Sequence, residues 1–391
     1  MSYLTQKLSF LVSFLFLLQE VDGFSQESTE SPVQKATLSD SLWPSARAAG
    51  LGGSITGIAN GMDAPYYNPA YIGSMNAKEK GKPFVTSVLF PYFSFSVNEN
   101  TVKLNESLSK AGDVNDEEVA AQILRAHEGE RQYGRATIAP AITLGRTMIT
   151  YIYDNQLAAA AIAPGSDQID VSARTMEGPA LGFSFADSKD RFYLGFFSGF
   201  FTLKQTQGVF NFTDLNDPGT RKSAFGDATK TYEGSPLNIG TTWRLSPRWK
   251  PSLSLVFRDA GGTKYRANDE ATEDFKVEED FTMSFSLHPD IGKWGKLNTN
   301  LEAEKLTVKS IALRKKIKLG VEWTLGKRGG SSAGLGVRIG ANNAGASGGL
   351  GINLGILGIS VASSVEDVGV NNISVIERRT FVNFGVNVAD Y

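Results

Sequence analysis

The chain has no cysteine and only two histidines, His127 and His288, in 391 residues. The first absence removes disulfides, thiolate metal sites, Cys nucleophiles and the lipid-modified Cys of a bacterial lipoprotein. The second leaves little material for His-based catalysis or metal binding. No G-x-S-x-G, H-E-x-x-H or P-loop pattern occurs, and Gly50-Leu51-Gly52-Gly53-Ser54-Ile55 lacks the third glycine of a dinucleotide turn. Carboxylate pairs such as Glu278-Glu279 sit in charged stretches and read as solvated. The chain is therefore expected not to be an enzyme, and no cofactor is expected. A formal charge of −2 gives no basic surface for nucleic acid.

Long apolar runs are missing as well. The run Leu8–Leu18 is shorter than the roughly 20 residues that a spanning helix requires. Lys7 precedes it and the small residues of Gly23-Phe24-Ser25 follow, so residues 1–25 read as a secretory signal cleaved after Ser25. The uncharged stretch Ala344–Ser364 is broken by Gly345, Gly348, Gly349, Gly351, Gly355 and Gly358, which favours a glycine-rich hairpin over a helix.

What the chain does have is alternation. After a polar, aperiodic leader (26–42) and a Gly/Ala-rich segment (43–83), residues 84–391 follow a period of two. Ile317, Leu319, Val321, Trp323 and Leu325 alternate with Lys318, Gly320, Glu322 and Thr324; Phe281, Met283, Phe285 and Leu287 alternate with Thr282, Ser284 and Ser286. Such strands suit a membrane barrel with lipid outside, or a soluble sandwich with its apolar face inward. Connection lengths separate the two. Short turns at 145–146, 187–190, 246–248, 289–293, 326–332 and 354–355 take turns with longer connections at 98–133, 164–177, 206–233, 260–279, 305–313 and 364–378. Only 342–346 breaks that order. Sorting of this kind predicts an all-β, transmembrane antiparallel barrel of about 14 strands, both termini periplasmic. A helix is expected over 116–130, capped by Asn115 with Glu118 in the capping-box position.

The segment Ser45–Gly73 carries a resemblance. Ala46, Arg47, Ala48, Gly50, Gly52 and Gly53, followed by Tyr66-Tyr67-Asn68-Pro69-Ala70, resemble the N-terminal plug of the long-chain fatty-acid transporter (FadL/TodX-type) superfamily of outer-membrane barrels. TraF-like and PorV-type relatives share the pattern. Gly57, Gly61, Pro65 and Tyr71 depart from it. The resemblance implies an outer-membrane protein of a diderm bacterium, surrounded by membrane lipid, that passes small hydrophobic, fatty-acid-like molecules by diffusion. A monomer is expected. The alternatives are a non-transporting envelope protein that docks partners or serves surface structure, and a polar-solute porin.

Four groups of candidate residues follow. Asn68, Pro69 and Ala70 read as a latch for the plug, because proline holds its predecessor extended and an Asn side chain bonds nearby backbone. Arg47, Gly50, Gly52 and Gly53 read as plug packing. In Arg191–Leu203, Tyr193, Phe197 and Phe201 fall on the lumen face, where they form either a greasy conduit or a packing surface for the plug. Lastly, Asp154, Asn155 and Gln156 interrupt the third strand. The triplet turns at least one polar group toward lipid unless the strand bulges or kinks, and a third-strand kink opens a lateral gate in the resembled family, so the triplet is expected to mark one.

Overall fold

The computed structural model describes residues 43–75, 86–110, 126–127, 129–161, 168–189, 191–211, 218–246, 249–269, 272–309, 311–326, 334–369 and 374–389. The expected signal and leader lie outside them.

One antiparallel sheet closes on itself. Its strands are β1 (Thr86–Asn98), β2 (Arg131–Ile138), β3 (Ala141–Leu144), β4 (Thr147–Ala161), β5 (Gln168–Ala186), β6 (Phe192–Gly199), β7 (Phe201–Asn211), β8 (Thr229–Gly234), β9 (Leu237–Arg244) and β10 (Ser252–Arg258). They continue with β11 (Thr263–Ala267), β12 (Phe275–Val277), β13 (Asp280–Leu287), β14 (Lys296–Ala303), β15 (Ile317–Gly326), β16 (Gly334–Asn342), β17 (Gly345–Leu354), β18 (Leu357–Asp367) and β19 (Ile376–Ala389). Five consecutive pairs, β2–β3, β6–β7, β8–β9, β10–β11 and β12–β13, are single staves interrupted midway, so the wall has 14 strands. β1 seals the barrel by pairing with β19 on one side and with β2 and β3 on the other. The interruptions have local causes. Pro140 and Pro236 have no N–H to give to a ladder, and Phe200 turns outward between β6 and β7, 77% exposed.

The side chains decide between barrel and sandwich. On β13, Met283 and Phe285 are exposed, whereas Thr282, Ser284 and Ser286 are buried. On β4, Tyr151, Tyr153 and Leu157 point out while Asp154 and Gln156 point in. Large apolar groups outside and small hydroxyls inside invert a water-soluble protein and match a lipid-facing barrel. Trp243, Trp249 and Trp294, all more than half exposed, lie near the short turns, where aromatic rings suit a membrane–water boundary.

Two expectations need correction. The connections expected at 164–177, 206–233 and 260–279 are shortened by strand: β5 starts at Gln168, β7 runs to Asn211, β8 starts at Thr229, and β11 and β12 lie within the last. Apolar residues such as Val171, Met176, Tyr232 and Tyr265 stand there among polar ones without strict alternation, so period-two hydropathy did not reveal them. The helix expected over 116–130 falls mostly outside the described residues. The described helix of that connection is Glu99–Lys110, and His127–Glu130 is a turn leading into β2.

Candidate functional site

Residues 43–75 lie inside the barrel and touch its wall in nearly reverse strand order. Ser94 of β1 donates to the Pro44 carbonyl at 2.6 Å, and Asn383 of β19 accepts the amide of Ala46. Ser45 caps the helix Ala46–Gly50, its Oγ accepting the Ala48 amide at 3.2 Å. After that turn Gly52 and Gly53 both adopt left-handed backbone (φ 64° and 84°), a reversal that residues with a Cβ resist. The reversed chain meets β14: Glu302 accepts the amides of Ile55 and Thr56 at 2.9 and 2.8 Å and the Thr56 hydroxyl at 2.8 Å. Beyond the helix Ala64–Tyr67, Asn68 donates to the Thr56 carbonyl and to Thr242 Oγ1 of β9, both at 3.0 Å. Its own Oδ1 accepts the Ala70 amide at 3.1 Å.

The wall answers the plug with glycine. A Cβ on Gly349 of β17 would come within 3.2 Å of Gly50, and one on Gly320 of β15 within 2.8 Å of the Ser54 carbonyl. Gly340 of β16 abuts Leu51 and Gly52, Gly240 of β9 abuts Asn68 and Pro69, and Gly195 of β6 abuts Pro69 and Ala70. On β5, a Gly182 Cβ would meet Ile72 at 2.6 Å. Backbone packs on backbone around much of the circumference. The latch and packing residues expected from sequence therefore all lie on this seat.

The seat carries a buried charge cluster. Arg47 grips Glu322 of β15 two-handed, Nε to Oε1 at 2.8 Å and Nη2 to Oε2 at 2.6 Å. Nη2 also donates to the Ile58 carbonyl at 2.9 Å, and Nη1 reaches Asp63 at 3.4 Å. Arg338 of β16 donates to the same Glu322 at 2.9 Å. Burial pushes the Asp63 carboxyl above the usual carboxylate range, and the attraction of Arg47 offsets only part of that.

Tyr193, Phe197 and Phe201 all face inward, at most 2% exposed. Phe197 meets the plug's Tyr66 edge-on with centroids 5.1 Å apart, and Tyr66 stacks on Trp43 at 4.3 Å. Tyr193 accepts a hydrogen bond from Arg244 at 2.7 Å. Phe197 and Phe201 join Ile152, Met176, Leu203, Tyr232 and Tyr265 in one continuous apolar cluster on the β4–β11 side. The wall beside it, from β2 round to β18, is charged: Arg131 and Arg379 both engage Glu377, at 2.6 and 2.7 Å, and Arg379 also engages Glu366 at 2.6 Å.

The lateral gate expected at Asp154–Gln156 is not there. Both ladders of β4 run unbroken through Asn155, which pairs with Ala136 on one side and Thr175 on the other. Parity places only Asn155 outward. Asp154 is fully buried against Arg135 (2.7 and 3.1 Å) and Thr137 (2.6 Å), so only the Asn155 amide is left on the outer face, and the strand carries it without a kink. The charge cluster on Glu322 and the wall glycines escaped sequence reading, although inward parity of Glu322 and of Gly182, Gly195, Gly240, Gly320 and Gly340 was available.

No family model and no curated protein matches the sequence. Among solved structures, the chain is similar to the toluene transporter TbuX of Ralstonia pickettii (11% identity, TM-score 0.47, covering 88% of this chain and 98% of that one). It is also similar to a deletion mutant of the TodX monoaromatic hydrocarbon channel (9%, TM-score 0.48, 88% and 98%) and to a FadL homologue of Pseudomonas aeruginosa (8%, TM-score 0.31, 88% and 98%).

Proposed function

We propose that this barrel is an outer-membrane channel through which small hydrophobic molecules diffuse. The observation that carries the reading is an apolar strip inside the barrel. Ile152, Met176, Phe201, Leu203, Tyr232 and Tyr265 form an apolar strip on one inner wall, continuous with Trp43 and Tyr66 of the plug. A water-filled pore gains nothing from such a strip, whereas an apolar solute needs one to leave water. The strip is packed, so passage requires its rings to swing aside. The plug stays seated while solute moves past it.

The glycine seat favours a second reading, a permanently closed barrel whose work is partner docking at its surface. One experiment separates the two. The full-length protein, reconstituted in liposomes, should speed entry of a small apolar fluorescent tracer at least severalfold over protein-free vesicles, and Phe201→Asp should remove most of that gain. Tracer entry no faster than in protein-free vesicles, with the barrel folded, would overturn transport and leave docking. Native mass spectrometry of the purified protein should show a bound apolar molecule, which Phe201→Asp loses.

A further inference from the structure

Away from the plug, at the end of the barrel opposite the short turns, three side chains meet in the order of a hydrolytic relay. Ser107 Oγ lies 3.0 Å from His127 Nε2, and His127 Nδ1 lies 2.7 Å from Glu130 Oε2. Both contacts are within hydrogen-bond reach, and they use the two different ring nitrogens. With the proton on Nδ1 donated to the Glu130 carboxylate, Nε2 is left as an acceptor facing the Ser107 hydroxyl. That is the arrangement in which a base activates a nucleophile and a carboxylate fixes the base's tautomer.

The frame that holds them is ordered by its own hydrogen bonds. The helix Glu99–Lys110 carries Ser107, and its first turn is tied to β2. Asn98 Nδ2 donates to the Arg131 carbonyl at 2.6 Å, and Thr101 Oγ1 accepts the Tyr133 amide at 2.8 Å. His127 and Glu130 come together through a tight turn. The Glu130 amide donates to the His127 carbonyl at 3.1 Å, and Gly129 takes the left-handed backbone that the turn demands (φ 76°). Ser107 is partly exposed, so an ester arriving from the aqueous side can reach it.

We propose that Ser107, His127 and Glu130 form an esterase site for small carboxylic esters at the long-loop end of the barrel. The reaction is acyl transfer to water. Ser107 Oγ attacks the ester carbonyl carbon while His127 Nε2 takes its proton. The carbon–oxygen bond to the alcohol breaks as His127 returns that proton to the departing alkoxide. A water molecule then attacks the acyl-serine while His127 takes one of its protons; the bond from the acyl carbon to Ser107 Oγ breaks, His127 returns that proton to Oγ, and the carboxylic acid leaves. Glu130 orients the imidazole and stabilises its charged form. The site does not depend on transport through the barrel.

The test uses the full-length protein in detergent. A fluorophosphonate probe should label wild type once, and peptide mapping should place the adduct on Ser107. The protein should hydrolyse p-nitrophenyl acetate. Ser107→Ala and His127→Gln should each lower turnover about 100-fold or more, the scale of general-base activation, and Glu130→Gln should lower it about tenfold. Heat-modifiable gel migration checks that each variant is folded. An adduct at another serine, no adduct at all, or full turnover in folded Ser107→Ala would overturn the proposal and leave the three residues as a fastener of the loop.

Discussion

Arg47 and Glu322, 275 residues apart in the chain, face each other as a bidentate pair with both nitrogen–oxygen distances at 2.8 Å or less. Both side chains are almost fully buried, at 10% and 2% exposure. A pair of this kind is costly to leave half-made, because the surviving charge keeps its desolvation penalty and loses its partner. Arg47→Ala or Glu322→Gln should therefore destabilise the barrel by about 3–5 kcal/mol in urea-titrated refolding. Each should also raise leakage of small ions in planar bilayers. The double replacement Arg47→Met/Glu322→Met should recover part of the loss.

The wall glycines make a second expectation. Gly240→Val and Gly195→Val would drive a side chain into Asn68, Pro69 and Ala70. Since backbone cannot yield as a flexible side chain can, the plug should leave its seat while the wall strands still pair. Conductance should rise with heat-modifiable migration retained. Gly134→Val, whose Cβ meets nothing within 4 Å, is the matched control and should change neither.

Third, the polar triplet of β4 should behave as wall structure. Asp154→Asn removes the charge partner of Arg135 in a site where both side chains are at most 1% exposed. A loss of about 3–5 kcal/mol in the same refolding measurement is expected. Asn155→Val changes only the outward residue between them and should leave stability within about 0.5 kcal/mol and tracer entry unchanged.

The fourth concerns pH. His288 follows β13 at a short turn, hydrogen-bonded to Ser286 at 3.0 Å and Asn298 at 3.1 Å. Burial pulls its pKa from 6.5 down to about 4, with the hydrogen bond to Asn298 pulling the other way. Between those values the unfolded chain holds a proton that the folded chain refuses, so folding stability should rise as pH increases from 4 to 6.5. The contribution is at most about 3 kcal/mol. His288→Gln should flatten the refolding free energy over that window.

The wall was legible because a lipid-facing strand must alternate, and residues such as Met283 and Phe285 against Ser284 and Ser286 do so without interruption. The extensions of β5 and β7 were not, because polar residues such as Asp170, Arg174, Thr206 and Gln207 break the hydropathy contrast there. The triplet at 154–156 was misread for a related reason. The one group turned toward lipid was taken to require a kink, although the period of two sends Asp154 and Gln156 inward and leaves only Asn155 outside. Arg47 and the Asn68-Pro69-Ala70 motif were visible as a plug, but their partners were not. Glu322, Gly240 and Gly195 acquire meaning only when strands distant in sequence are curled around the same segment. Ser107, His127 and Glu130 share no spacing motif, and a fold has to bring the first to the other two.

The path of the plug also bears on how the chain assembles. Its hydrogen bonds join residues 174, 247 and 337 positions apart, the last linking Ala46 to Asn383 next to the C-terminus. Contacts of such separation are made late, since the entropy of closing the loops must be met first. Yet β19 must pair with β1 to finish the wall, and the plug is packed inside that ring. A segment made before every strand of the wall is thus locked in last, and the barrel should close around it as a slow, concerted final step.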